Sequence, residues 1–427
     1  MMSSPPSPLS TLPAYFDYAS ATPLDPRVRD AMLVFMDHEV NFGNSSAATH
    51  RYGWLAQEQL EAARVRVADA VGCDPLGVYF TSGATESINL AITGTLESLI
   101  QGRLKTPHWC SGEKECSGEK GCSEKNVLPH AITGAAEHKA VLNTLQHWAD
   151  AGRIRLTVLK PDAHGRISAE SLAASLEDST VFVSIQHVNN ELGVINPVEA
   201  LAQLCRQRHV FFHVDAAQSL GKAPVDVSAW GADLVSFSGH KAYGPKGVGV
   251  LVCGSRTRGF LTPLMQGGSH ERGVRPGTVA LHQVVGLAEA FSIAATSYSV
   301  ERTRFQGLRA MFLARLQSLS DWVLHSGEAE VVPSILSLGF RGVEGESLLI
   351  ALKDIAVSSG SACNSVTLDP SHVLLACGIE RTLAASTIRL SFGRFTDEAQ
   401  MLAAADHIVA VVGKLRGEEG GADVGRT

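Results

Sequence analysis

The sequence predicts an α/β protein: a large, mostly parallel seven-stranded sheet covered by helices, joined to a smaller α+β lobe. Three observations predict it. Seven short apolar runs alternate with longer amphipathic ones between residues 78 and 252, the signature of a parallel sheet covered on both faces. From about residue 277 the rhythm changes to a long helical stretch, then to mixed helices and short strands. The length, 427 residues, exceeds a single domain of about 150 and suggests two or three lobes. The expected divisions are a disordered lead over 1–13, a large lobe over 14–275 and a small lobe over 276–427. Residues 14–27 are expected to pack with the small lobe.

The elements follow in order. Met1 to Pro13 is rich in Ser and Pro and reads as a disordered terminus. Gln57–Val71 carries helical spacing, and Gly72 ends it. The strand candidates are Val78–Phe80, Ala131–Thr133, Ile154–Leu159, Val181–Ile185, Val210–Val214, Leu234–Phe237 and Val248–Val252. Helix candidates between them are Glu86–Leu96, Lys139–Ala149, Ala169–Leu176 and Val198–Gln207. One segment breaks the rhythm. Residues 110–125 read CSGEKECSGEKGCSEK, a hexapeptide nearly repeated, polar and without hydrophobic period. The stretch 101–127 therefore reads as an exposed surface insertion, which loops tolerate at small entropic cost. The even spacing of Cys110, Cys116 and Cys122 matches no zinc motif such as C-x2-C.

Composition excludes several classes of function. Lys plus Arg number 36 against 43 Asp plus Glu, a formal charge of −7 that leaves no basic excess for nucleic acid. No apolar run approaches the roughly 18 residues of a membrane span. The first 26 residues contain no Lys or Arg, against both a secretory n-region and an Arg-rich transit peptide. The expectation is a cytoplasmic protein whose eight Cys are free thiols.

The candidate chemistry sits where apolar runs end. Lys241, in SFSGHKAYGPKG, lies just past a strand, where open α/β sheets bind ligands. There desolvation can lower an amine's pKa and expose its lone pair; the alternative is an ordinary loop lysine. Asp215, in FFHVDAAQS, ends the preceding strand and could pair with a protonated pyridine nitrogen, or cap a following helix. Gln218 follows three residues later. In FTSGATES, Ser82 to Thr85 lead from a strand into a helix. Small residues there let backbone N–H groups reach a phosphate, and Ser82 or Thr85 could serve as N-cap with Glu86 or Ser87 in the first turn.

These stretches, with FDYASATPLDPRV, AAEHKAVLNT, VSIQHVNNELGVI, GGSHERGVRPGT, VEGESLLIALKDIAVSSGSACNS and STIRLSFGRF, resemble the cysteine desulfurases of the NifS/IscS kind. Those are class V pyridoxal-phosphate enzymes of fold type I. The resemblance runs in the family's order over roughly residues 15 to 395. It implies pyridoxal 5'-phosphate as cofactor in the large lobe, Lys241 as its covalent anchor and Asp215 as partner of its pyridine nitrogen. Gln218 and Asn190 would donate to its phenolic oxygen and His138 would stack on its ring, with a proton-shuttling role. Ala84, Thr85, Ser238 and His240 would cradle its phosphate, and Thr278 would reach the phosphate of a neighbouring subunit in a homodimer. Arg389, with Asn190, would bind the carboxylate of L-cysteine.

Cys363 decides the reaction. Its setting, SSGSACNS, reads as a mobile loop with an exposed thiol, whereas Cys205, Cys253 and Cys377 lie in apolar surroundings and read, with Cys73, as packing. The resemblance makes Cys363 the nucleophile that takes sulfur from L-cysteine and leaves L-alanine. The persulfide would supply iron–sulfur scaffolds and sulfur carriers, for cluster assembly and tRNA thiolation. Cys363 would also serve as a transient iron–sulfur ligand shared with a scaffold. The length of the loop resembles the long-loop branch. The chain departs from the family at Ala385, at Asn364 and in a short acidic tail. Other readings are a lyase of the same fold that needs no persulfide, such as a selenocysteine lyase, and a non-enzymatic interaction protein.

Overall fold

The computed structural model describes residues 12–39, 41–107, 109, 127–359 and 369–417. Cys363, with its nucleophile and metal-ligand expectations, lies outside the described residues, as do Cys110, Cys116 and Cys122.

The chain opens with β1 (Ala14–Tyr15), α1 (Pro26–Leu33) and α2 (Arg51–Val71). The Asp25 side chain accepts from Arg27 N–H and Pro26 takes the first helical position, so α1 starts there. Gly72, at φ +68°, ends α2. Then come β2 (Val78–Thr81), α3 (Ala84–Ile100), β3 (His130–Gly134), α4 (Lys139–Asp150), β4 (Arg155–Leu159) and α5 (Ala169–Ser175). β5 (Thr180–Gln186), α6 (Val198–Gln207), β6 (Phe211–Asp215), α7 (Val227–Trp230), β7 (Leu234–Ser238) and β8 (Gly249–Cys253) complete the large lobe.

These strands form one sheet in the order β2-β8-β7-β6-β5-β3-β4. Its pairs are parallel except those of β8, which runs antiparallel to β2 and β7. All seven expected strands are present within one or two residues of their bounds. β5 to β8 are buried along every residue, which is why they read as near-continuous apolar runs. Side chains alternate between two cores: along β6, Phe212 and Val214 face one with α2 and α6, and Phe211 faces the other with α3 and α4.

One expectation fails at the base of the insertion. Leu104 and Trp109 are buried in the second core, and Trp109 Nε1–H donates to the Val127 carbonyl at 2.9 Å. An indole that finds an acceptor gains by burying its ring, so the anchors of this stretch belong to the fold. The polar repeat beside them hides that.

Helix α8 (Leu281–Leu316) has 36 residues, about 54 Å of axis. Val284, Leu287 and Phe291 pack in the first core of the large sheet, and Phe305, Leu308 and Phe312 in a third core. After α8 come β9 (Trp322–Leu324), β10 (Ile335–Phe340), α9 (Gly345–Ala351), β11 (Ile355–Ala356), β12 (Ser358–Ser359), α10 (His372–Ala376), α11 (Arg381–Ala385), β13 (Thr387–Ser391) and α12 (Glu398–Arg416); β9, β10, α9, β11, β13 and α12 build the third core, and α10 and α11 pack in a smaller cluster with Leu192 and Val194. The small sheet runs β12-β13-β10-β9, all antiparallel. β1 pairs in parallel with β11. The lobes also meet at Arg394, which pairs with Asp25 at 2.6 Å and Glu301 at 2.5 Å and covers the ring of Tyr243.

Candidate active site

The C-terminal ends of β5, β6 and β7 and the N-terminus of α3 open on a cavity of about 750 Å3. Ala19 to Ala21 line it from the N-terminal segment, and Arg389 and residues 369–372 line it from the small lobe. The sheet thus delivers the ends of successive strands to one place, as open α/β sheets do.

Lys241 ends the short turn after β7, and its Nζ donates to the carbonyls of Ala19 and Ser20, both at 2.6 Å. Asp215 closes β6, buried, with Ala217 N–H on its Oδ1 at 2.9 Å. No helix follows it but a turn, so the helix-cap alternative is not realised. Burial pushes the Asp215 carboxyl up, opposed by Ala217 N–H and by the nearby charges of His138 and Lys241. A buried carboxyl of this kind calls for a cationic partner within the cavity.

His138 has two places in the structure. It caps α4, its Nδ1 accepting from Ala140 N–H at 3.0 Å, and its ring lines the cavity. The bond at Nδ1 puts the proton of the neutral ring on Nε2. Burial, first, and Lys241 lower its pKa while Asp215 raises it.

The start of α3 is not the capping box expected. Gly83, at φ +153°, is the N-cap and makes no side-chain cap bond. Glu86 instead reaches back to accept from Ser82 N–H at 2.7 Å and pairs with Arg275 at 2.9 Å. Neither the hydroxyl of Ser82 nor that of Thr85 caps the helix. A Cβ on Gly83 would meet nothing within 4 Å, while one on Gly249 would lie 2.6 Å from the Gly83 Cα. Glycine at both positions therefore keeps a backbone cradle open beside Ala84 and Thr85, whose first-turn N–H groups form an anion-binding helix terminus. Ser238 and His240 line the same cavity, with 2.9 Å between Ser238 Oγ and His240 Nδ1. Burial, with Lys241, Lys222 and Lys246, pushes His240 down to about 4.

Arg389 is 2% exposed. Its Nη2 pairs with Asp17 at 2.7 Å and its Nη1 donates to the Asn190 carbonyl at 3.0 Å, while its buried Nε has no hydrogen-bond partner among the described residues. Asn190 lines the cavity. Thr278 does not: it is exposed, ahead of α8.

Three residues near the cavity escaped the sequence reading. Asp17 orients Arg389. Glu191 is buried, accepts from the Ser371 hydroxyl and is pushed up to about 7 by burial. Lys222 donates from Nζ to Gln218 Oε1 at 2.6 Å. Only the i, i+4 spacing of Gln218 and Lys222 was visible in advance; the other two meet partners far along the chain.

The Aminotransferase class-V model matches residues 14–104 and 126–403. The chain belongs to this family. It is a pyridoxal-phosphate-dependent class-V protein and a homologue of the cysteine desulfurases. It is 43% identical over 405 residues to cysteine desulfurase IscS of Escherichia coli, covering 95% of this chain and 94% of that one. A NifS-like protein of solved structure superposes with a TM-score of 0.81 at 31% identity, covering 95% of this chain and 100% of the other. SspA, solved in complex with cysteine, gives 0.74 at 31% identity over 90% of this chain and 100% of that one.

The residues present fit the cofactor. The cavity offers an open glycine cradle at a helix N-terminus for a phosphate. It also offers an amine on Lys241 and a buried carboxylate on Asp215. These are the three kinds of group that a phosphorylated pyridine aldehyde needs.

Proposed function

We propose that the protein is a cysteine desulfurase, acting on L-cysteine to release L-alanine and leave the sulfur as a persulfide on Cys363. One observation carries it. Lys241, Asp215 and an arginine with an uncommitted buried donor converge on one cavity, in a chain 43% identical to a desulfurase.

Pyridoxal phosphate, when bound, supplies an electron sink next to the substrate's Cα. Ala84, Thr85, Ser238 and His240 would hold its phosphate, Asp215 its ring nitrogen, Gln218 and Asn190 its phenolic oxygen, and His138 the face of its ring. Arg389 binds the substrate carboxylate through the donor edge that Asp17 and the Asn190 carbonyl leave over, which orients the Cα–H toward Lys241. The Lys241 amine takes up that proton. The Cys363 thiolate attacks the substrate sulfur, forming an S–S bond as the Cβ–S bond breaks; the departing electron pair stays with the alanine carbon and is protonated there. Burial favours the neutral form of the imidazole of His138, which suits proton exchange near the ring.

Thr278, exposed ahead of α8, would serve the cavity of a second copy, so the working form is a homodimer. The persulfide passes to iron–sulfur scaffolds and sulfur carriers in the cytoplasm, for cluster assembly and tRNA thiolation, and Cys363 is a transient iron–sulfur ligand in that transfer.

The test is mass spectrometry after turnover with L-cysteine. A single added sulfur on Cys363 is expected. Cys363→Ser should keep the visible absorbance of the bound cofactor and lose sulfide release, while Lys241→Ala should lose the covalent cofactor link. Normal desulfuration by Cys363→Ser would hand the reading to a lyase that uses no persulfide.

A further inference from the structure

Gln218 stands on the cavity wall with both ends of its amide engaged. Oε1 accepts from Lys222 Nζ at 2.6 Å, and Nε2 donates to the Ala19 carbonyl at 2.7 Å. Chemistry fixes this orientation. An ammonium has donors and no acceptor, and a carbonyl has lone pairs and no donor. Flipping the amide would set donor against donor and acceptor against acceptor. The amide nitrogen carries two hydrogens and Ala19 takes one, so a single N–H is left for the cavity. A cation on the oxygen also polarises the amide and strengthens that remaining donor.

The lysine is itself held. Its backbone N–H donates to the Ser219 carbonyl at 3.0 Å. Gly221 before it turns at φ +74°, where a Cβ would come within 3.1 Å of the Ala294 Cβ on α8. The turn is thus pressed against the long helix and delivers Nζ back to a side chain four residues earlier. The charged groups facing Lys222 are Lys241 and Arg389, and it acts in turn on His240. Burial, with those two cations, pushes its ammonium down to about 7.

We infer that Lys222 is a positioning residue that locks Gln218 as an obligate hydrogen-bond donor to an anionic oxygen of the cavity's occupant and sets a second cation behind Lys241. With pyridoxal phosphate as occupant, the reading on which this part rests, that oxygen is the ring phenolate.

The lock is tested first without cofactor, in the full chain labelled with 15N-glutamine, with Gln218→Ala assigning the signal. The side-chain amide of Gln218 should titrate with a midpoint near pH 7, where the Lys222 ammonium loses its proton. Lys222→Met should abolish that titration. Lys222→Arg should hold the amide at its low-pH position throughout, because a guanidinium does not deprotonate. In the loaded enzyme, Lys222→Met should weaken cofactor binding about tenfold, the scale of one lost hydrogen bond to a charged group. It should also move the pH midpoint of the cofactor's visible absorbance upward by about one unit, since a cation and a donor that both opposed protonation are weakened. Lys222→Arg should restore most of both. An unchanged amide titration in Lys222→Met overturns the lock, and so does equal loss of affinity in the Met and Arg variants, which would mean packing alone. A parent chain that takes up no pyridoxal phosphate defeats the cofactor reading, and the amide titration still judges the lock.

Discussion

Arg389 commits two nitrogens of its guanidinium, one to Asp17 and one to the Asn190 carbonyl, and its buried Nε has no partner among the described residues. Two fixed contacts hold the planar fork, so the remaining edge would meet a carboxylate without reorganising. Lysine keeps the charge and loses the fork, so Arg389→Lys should raise the KM for L-cysteine at least about tenfold. The cofactor absorbance should stay unchanged, as steady-state kinetics and a spectrum will show. A second residue-scale effect lies inside the sheet. His213 is fully buried, its ring nitrogens 2.8 Å from Ser184 Oγ and 2.9 Å from Ser236 Oγ, and burial pushes its pKa to about 3. The folded chain therefore binds a proton there less readily than the unfolded chain, whose histidine titrates near 6.5. The stability it contributes is full above pH ~6.5 and is lost as the pH falls from there toward about 3. Glu191, pushed up to about 7, works the other way, its contribution fading as the pH rises through that value. Acidification below pH ~6.5 should therefore lower the urea midpoint of the parent relative to that of His213→Asn, in which the histidine's share of the slope is gone. Lys241 and Asp215 could be placed from the sequence because Asp215 ends an apolar run and Lys241 lies just past one. Asp17 could not, since it pairs with Arg389 across 372 positions and no local pattern carries that.

At the scale of elements, the strands were legible because the sheet is covered on both faces, and the direction of β8 was not. Its pairing follows from the connection: only residues 239–248 join β7 to β8, fewer than the dozen or more that a parallel crossover needs. The turn that carries Lys241 is therefore also what reverses the strand. Legibility failed at the insertion for a different reason, since a run of Gly, Ser, Glu and Lys says nothing about the residues that anchor it. Trp109 packs in the second core and holds Val127 by its indole N–H. Trp109→Ala should cost about 3 kcal/mol, seen as a lower denaturant midpoint. Replacing 110–126 by a short Gly-Ser linker should leave activity within a few-fold, because loop length enters stability only logarithmically.

For the molecule as a whole, α8 is the member that two cores share. A helix packed at both ends transmits unfolding from one lobe to the other, so calorimetry, near-ultraviolet dichroism and activity loss should report one coincident transition. Ser299 lies exposed on α8 between the residues of the two cores. Ser299→Pro should break the helix there at a cost of about 3 kcal/mol and separate the transition into two. Length alone suggested more than one lobe. It could not show that a single helix would run through both, because a 36-residue helix changes its buried face as it passes from one core to the next.

Residues 17–20 brace the cavity: Asp17 holds Arg389, Ala19 holds Gln218 and Lys241, and Ser20 holds Lys241. Translation makes Asp17 well before the arginine it holds, 372 positions later. A ribosome that stops anywhere before β13 releases a chain in which Asp17 has no Arg389 to hold. A product cut short there lacks the arginine that residue 17 holds, even with every strand of the large sheet made.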